Sequence, residues 1–437
     1  MPYQADFERT AADPSNLYFG ASCKAFAHLA AAKGYVVLGS TARHAPPPAM
    51  NDPAADLEAG GLPNPAEHYL PQLDGVRGLA IALVLMIHCQ VRGPDPQLAG
   101  LTGGALIEQF LMFGWAGVEL FFVLSGLLVT SILLRRKRLQ QGLGAFYARR
   151  FARIVPAYLA VISAIAALSL FRIGPLVDPI TAQARALFPY YALFLNNYLG
   201  WMGIAADEAE RVLGPMWSVA TEMQYYMLWP LVVMTFSERR LKQLLPLVLA
   251  ISIAIRLHAI GGELPAKAIY VASLTNLDGI IAGSLLALYW DRLGQFARRY
   301  GLTGLALSLA GLVAYFWRAG TTGQYDPDVQ TWGYTLVALT SSFLLMVVVS
   351  APLAVRLFSL APLRMLGRYS YFIYLIHMPI LVLLDQVVVW QGLGRWLVYY
   401  GLVTIALVGI GALSWRYFEQ PIIAWNQRRE RGAGRER

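Results

Sequence analysis

The stretch Trp396-Leu-Val-Tyr-Tyr-Gly-Leu-Val-Thr-Ile-Ala-Leu-Val-Gly-Ile-Gly-Ala-Leu413 runs 18 residues without a charge. As a helix rising ~1.5 Å per residue it covers roughly 27 Å, close to the ~30 Å of a bilayer's hydrocarbon core. Ile154–Phe171 and Leu244–Ile255 read the same way once their apolar flanks are added. Such runs show neither the two-residue alternation of a barrel strand nor the polar face of a soluble core helix. They are therefore expected to span a membrane as helices. Composition agrees, with 57% of residues hydrophobic and 14% charged, where a soluble domain carries about 25% charged residues. The mean hydropathy is +0.50.

From Leu73 onward the pattern predicts an all-α, polytopic membrane protein of about ten transmembrane helices. They lie near 75–92, 110–134, 154–171, 215–236, 243–259, 268–290, 301–317, 331–354, 369–389 and 396–415. An eleventh apolar stretch, Phe188–Met202, is interrupted by Pro189, Asn196 and Asn197 and reads as re-entrant or interfacial. With that assignment and a cytoplasmic N-terminus, 22 Lys and Arg fall in the inner loops 135–153, 237–242, 291–300 and 355–368 and in the tail from Arg416. The outer loops carry 7. Treating Phe188–Met202 as a full span would put Glu238–Lys242 and Asp291–Tyr300 outside, against the positive-inside rule. The expectation is a multi-pass protein of the inner (plasma) membrane with both termini cytoplasmic. The net charge of +9 is then a matter of topology, and no nucleic-acid partner is expected.

Residues 1–70 form a separate cytoplasmic region of ordinary polarity with no assigned function. A helix over Ala21–Lys33, a strand over Tyr35–Gly39 and a proline-rich linker over Ala45–Asn64 are too little to bury a core. No charged-then-apolar signal peptide opens the chain. Residues 71–421 make the membrane unit, and 422–437 a basic cytoplasmic tail. The two cysteines, Cys23 and Cys89, make no disulfide framework.

Ionisable residues inside a bilayer are costly and mark function or a structural pair. In the first span, Arg77 and His88 are eleven residues apart, three turns plus about 20°, so they share one face about 16 Å apart along the axis. An interfacial arginine that snorkels and a histidine bonded to a neighbouring helix would also explain them. The fourth span offers Glu222 at nearly the depth expected for His88, and a His88–Glu222 pair would satisfy both groups and orient the imidazole as a general base. Ser218, Glu222 and Tyr225 share a helical face. In the ninth span Ser370, Tyr374 and His377 do the same, and the second span holds Glu119 and the small pair Ser125-Gly126. The loop 135–153 carries seven cations, including Arg149, Arg150 and Arg153. These serve either as topological anchors or as a cradle for phosphates, whose geometry suits arginine forks. His88, His377 and Glu222 lack the close spacing of a helical zinc motif, so no metal is expected.

A series of motifs runs in order from Leu73 to Pro421. They are Leu73-Asp-Gly-x-Arg77-Gly with His88 completing an Arg-x10-His spacing, and Gly117-Val-Glu-Leu-Phe-Phe-Val-Leu-Ser-Gly126. Tyr147-Ala-Arg-Arg-Phe-Ala-Arg153-Ile-Val-Pro156 and Met216-Trp-Ser-Val-Ala-Thr-Glu222 follow, then Asp278-Gly-Ile-Ile-Ala-Gly283. Tyr371-Phe-Ile-Tyr374-Leu-Ile-His377-x-Pro379 and Tyr417-Phe-Glu419-Gln-Pro421 close the set. Each motif alone is loose, but in this order they are specific, and the set resembles the acyltransferase 3 family of membrane-bound O-acyltransferases.

The resemblance implies an acyl-CoA donor, with acetyl-CoA foremost, and no permanently bound cofactor. It implies an acceptor hydroxyl on a sugar, glycan, lipid or natural product. Catalysis is expected from His88 as base with Arg77 and Glu222. Arg149, Arg150 and Arg153 are expected at the coenzyme A phosphates, and Trp217, Ser218, Tyr374 and His377 at the substrates. Homo-oligomerisation is compatible with this reading. A transporter or flippase for a lipid-linked sugar is the alternative, though no internal inverted repeat is visible. Ala220 and Thr221 depart from the residues the family often has before the glutamate. Many members also carry a hydrolase-like domain after the last helix, whereas this chain ends about sixteen residues past Pro421.

Overall fold

The structure, a computed structural model, describes residues 62–89, 103–171, 180–262, 264–385 and 393–435. The helix expected over Ala21–Lys33, the strand over Tyr35–Gly39 and nearly all of the linker lie outside the described residues. Among the described residues there are helices and turns and no strand. In chain order the helices are α1 Pro71–His88, α2 Gly104–Met112, α3 Ala116–Arg138, α4 Gly144–Phe171, α5 Ile180–Ala186, α6 Phe188–Ala192, α7 Asp207–Leu213 and α8 Met216–Thr235. They continue with α9 Glu238–Ile260, α10 Ala266–Val271, α11 Asp278–Ala319, α12 Tyr334–Ser350, α13 Pro352–Phe358, α14 Ala361–Asp385, α15 Leu393–Ser414 and α16 Gln420–Arg435.

Seven helical stretches among these residues are long and apolar enough to cross a membrane, where the sequence reading expected ten. The helices α1 and α8 are not among the seven. Their polar side chains lower the mean hydropathy, and both are largely sheathed by other helices rather than by lipid. Residues 278–319 are helical throughout, where two spans joined by an inner loop at 291–300 were expected. A straight helix of 42 residues would be about 63 Å long. Yet Arg256 binds Asp278 at one end and the Thr331 carbonyl, while Tyr315 near the other end binds Thr331 as well. The helix therefore folds back along its course, entering beside α3 and returning beside α12, where Gly304 abuts Phe343. The Phe188–Met202 stretch does not span. It is a five-residue helix followed by two tight turns at 196–198 and 200–202.

The centre of the bundle is α1, gripped by α3 and α14. A Cβ on Gly367 would stand 1.8 Å from the Asp74 carbonyl oxygen, and one on Gly117 would stand 2.3 Å from that of Ala80. Only glycine permits this approach, which substitutes close backbone packing for the hydrophobic drive that is absent between helices in lipid. The outward faces of α9, α15 and the returning half of α11 expose Leu247, Ile251, Leu307, Leu402 and Ile405. Such a surface suits hydrocarbon and would aggregate in water.

Arg256, fully buried on α9, holds the start of α11 in place. Its guanidinium makes a two-pronged contact with the equally buried Asp278, at 2.6 and 3.2 Å, and bonds the carbonyls of Thr275 and Thr331. Breaking a buried pair by removing one partner costs about 3–5 kcal/mol, whereas replacing both by apolar residues is close to neutral. Arg256→Met is expected to lower the thermal midpoint and the monodisperse yield of the detergent-purified protein sharply. The double variant Arg256→Met/Asp278→Leu should recover most of the loss, as size-exclusion and thermal-shift measurements would read.

Candidate active site

Two cavities enter the bundle from opposite ends. The first opens among the arginines near the start of α4 and encloses about 800 Å³, its mouth included. Arg77, Ser125, Arg150, Arg153, Glu222 and Ser370 contribute its polar wall. The second, of about 790 Å³, is bordered by His88, Asn196, Glu210, Lys267 and several aromatic rings. Val118 and Tyr374 belong to the walls of both. Helix α1 links them, presenting Arg77 to one and His88, three turns further on, to the other.

In the first cavity, the hydroxyls of Ser125 and Tyr226 both donate to the same oxygen of Glu222. That oxygen thereby uses both of its lone pairs and is fixed in the cavity wall. The Arg150 guanidinium lies over the Tyr226 ring, 5.2 Å from its centre. Arg150 and Arg153 share a face of α4 and border the cavity. Arg149, rotated by about 100° from Arg150, turns instead to Glu430 of α16 at 2.7 Å. Arg149 does not border this cavity, whereas Arg150 and Arg153 do. Outside the bilayer, burial and the neighbouring Arg149 lower the pKa of Arg136, with Glu430 acting in the opposite direction.

The hydroxyl of Tyr374 donates to the Pro215 carbonyl at 3.0 Å and lies 2.6 Å from Ser218 Oγ. Its ring is thus pinned in the wall that the two cavities share. Ser218 borders the first cavity and Trp217 the second.

At the far end, His88 Nδ1 is 2.8 Å from the Val84 carbonyl oxygen. A carbonyl can only accept, so Nδ1 carries a proton, and in the neutral form of the ring Nε2 keeps a basic lone pair. His377 has the same arrangement with the Tyr374 carbonyl at 2.7 Å. Its ring sits edge-on against that of His88, with centroids 4.9 Å apart. His377 is fully buried and borders neither cavity, so it backs the His88 ring where a substrate contact was expected. The His88–Glu222 pair is likewise not formed. Trp217, one residue into α8, lies at the level of His88's cavity. Glu222 lies five residues further on, more than a turn deeper, among the arginines.

The second cavity also gathers residues that sequence reading did not single out. Glu210 on α7 forms an ion pair with Lys267 on α10. Burial alone would lower the Lys267 pKa, but the hydrogen bond and charge of Glu210 outweigh it and raise the value. Asn196, visible in the sequence only as an interruption of an apolar stretch, is buried on the cavity wall. The charge of Arg256 inside an otherwise apolar span was a signal of the same kind.

The family profile of acyltransferase 3, described as an acyltransferase domain, matches residues 70–415. The chain is 27% identical over 369 residues to the O-acetyltransferase OatA of Staphylococcus aureus, covering 81% of this chain and 57% of that protein. It is 28% identical over 385 residues to the peptidoglycan O-acetyltransferase OatA of Listeria monocytogenes, covering 81% and 56%. With the putative peptidoglycan O-acetyltransferase YrhL of Bacillus subtilis it shares 29% over 382 residues, covering 81% and 55%. The chain thus spans little more than half the length of the curated relatives it matches. No solved structure matches. A profile match over most of the chain, on a multi-pass helical bundle, establishes that this protein belongs to the acyltransferase 3 family.

Proposed function

We propose that this protein transfers an acetyl or similar small acyl group from acyl-CoA, bound at the arginine end, to a glycan hydroxyl presented at the opposite end. The observation that carries this reading is the wall shared at Val118 and Tyr374 by an arginine-lined cavity and a histidine-lined one. Family membership supports acyl transfer, and the relatives' names support acetyl as the group and peptidoglycan as the kind of acceptor. The positive-inside rule puts the arginine end in the cytoplasm, where coenzyme A is found.

Arg77, Arg150 and Arg153 hold the phosphates of the donor in this scheme, with Glu222 offsetting part of their charge. The thioester reaches the Tyr374 junction. His88 Nε2 takes the acceptor hydroxyl's proton as its oxygen attacks the thioester carbonyl. The carbon–sulfur bond breaks, and the imidazolium returns the proton to the leaving thiolate. His377, neutral and buried against His88, keeps that ring in position without adding charge. General-base catalysis of this kind contributes roughly 10²–10⁴ in rate.

His88→Ala in folded, purified protein is expected to lower kcat at least about 100-fold in an assay of labelled acetyl-CoA turnover. Full turnover in that variant would remove the proposed base. Arg150→Ala and Arg153→Ala should each raise the KM for acetyl-CoA about tenfold, as loss of one charge-assisted contact does. Arg149→Ala, whose partner is Glu430, should shift it far less. Equal effects of all three substitutions would show that the cavity is not the phosphate site. Movement of a lipid-linked sugar by the purified protein without thioester consumption would favour the transporter alternative.

A further inference from the structure

The second cavity contains more binding chemistry than proton transfer at His88 requires. Asn196 is 5% exposed, and its side-chain oxygen has no hydrogen-bond partner. Buried amide oxygens are nearly always satisfied, because an unmet acceptor out of water is costly. Asn196 borders the cavity, and a ligand hydroxyl reaching its amide there would supply the missing donor.

Nearer the mouth stand Glu210 and Lys267, with side chains 20% and 43% exposed. They come from two short helices and meet across the opening. Each keeps spare capacity after pairing. The ammonium has three hydrogens, and the carboxylate has about four lone-pair sites. Together they offer donors and acceptors with no net charge, an arrangement that favours neutral hydroxyls over a phosphate.

Aromatic rings form the rest of the wall. Tyr270 packs edge-on against Trp217 at 4.8 Å and against Tyr325 at 5.6 Å. Trp217 and Tyr270 are buried, while Tyr325 is half exposed at the rim. A pyranose ring has the matching character, with C–H faces that stack on aromatic rings and an edge of hydroxyls that needs alternating donors and acceptors. An acyl chain would leave the Asn196 oxygen without a donor and the spare hydrogen-bonding capacity of Glu210 and Lys267 unused.

We propose that Asn196, the Glu210–Lys267 pair and the rings of Trp217, Tyr270 and Tyr325 form a sugar-binding subsite that delivers one acceptor hydroxyl to His88. This rests on the acyl-transfer reading above and adds to it the residues that select the acceptor.

The test uses the full-length protein in proteoliposomes with acetyl-CoA as donor. Chitotetraose and muramidase-released peptidoglycan fragments serve as acceptors, and thioester cleavage is followed alongside product. Asn196→Ala is expected to raise the acceptor KM about tenfold while the acetyl-CoA KM stays near the wild-type value. Tyr325→Ala, at an exposed rim position where the bundle does not depend on it, should act the same way. The exchange Glu210→Lys/Lys267→Glu keeps an ion pair but reverses its polarity, so its acceptor KM should stay raised.

Restoration of the wild-type acceptor KM by that exchange would reduce the pair to a tie between helices and overturn its assignment. Wild-type acceptor KM in both Asn196→Ala and Tyr325→Ala, or no turnover dependent on either glycan in a protein that cleaves the thioester, would overturn the sugar subsite while leaving acyl transfer standing. Absence of thioester cleavage under every condition would end the acyl-transfer reading and this inference with it.

Discussion

A helix that carries an arginine, an aspartate and a histidine cannot face hydrocarbon, and the burial of α1 is the constraint on which the rest of the molecule depends. The grip is made by backbone. Gly367 and Gly78 bring α14 against one side of α1, and Gly114 and Gly117 bring α3 against the other, each leaving no room for a Cβ. Helices packed this closely have no hydrophobic drive to hold them in lipid, so contact area and satisfied polar groups must do so. The reward is that Arg77 and His88 stand in protein-lined cavities at two depths of one rigid helix.

That single helix explains why the site has two ends. Arg77 shares its chamber with Arg150, Arg153 and Glu222, a setting rich in guanidinium groups. His88 faces a chamber in which the one ion pair is internally matched and the neighbouring His377 is held by a backbone carbonyl. Polyanion binding suits the first setting and proton abstraction by a neutral imidazole suits the second. Tyr374, fixed by Pro215 and Ser218, stands with Val118 in the wall common to both. In the proposed reaction, donor and acceptor would meet only at the Tyr374 ring.

Much of this was readable from residue order. Uncharged runs of transmembrane length give the all-helical membrane fold, because no other backbone arrangement satisfies its own hydrogen bonds in hydrocarbon. The eleven-residue interval between Arg77 and His88 places them on one face, and the broken Phe188–Met202 stretch reads correctly as a segment that does not span. What periodicity could not supply is relative height between helices. Glu222 was matched to His88 on depth within its own span, yet α8 is offset so that Trp217 occupies that level. Rotation about a helix was the other hidden variable, separating Arg149 from Arg150 and Arg153 and turning His377 behind His88. The Glu210–Lys267 pair joins residues more than fifty positions apart on two short helices, a juxtaposition that no local pattern encodes.

The most direct test of the two-ended site is transfer across a sealed bilayer. Purified protein is reconstituted in vesicles, labelled acetyl-CoA is supplied at the face bearing the arginines, and a glycan acceptor is enclosed at the other. Labelled acetyl-glycan forming inside intact vesicles, with no product when the donor is offered only at the acceptor face, is the result expected. Product that appears only when donor and acceptor share one face would contradict a site reached from both ends.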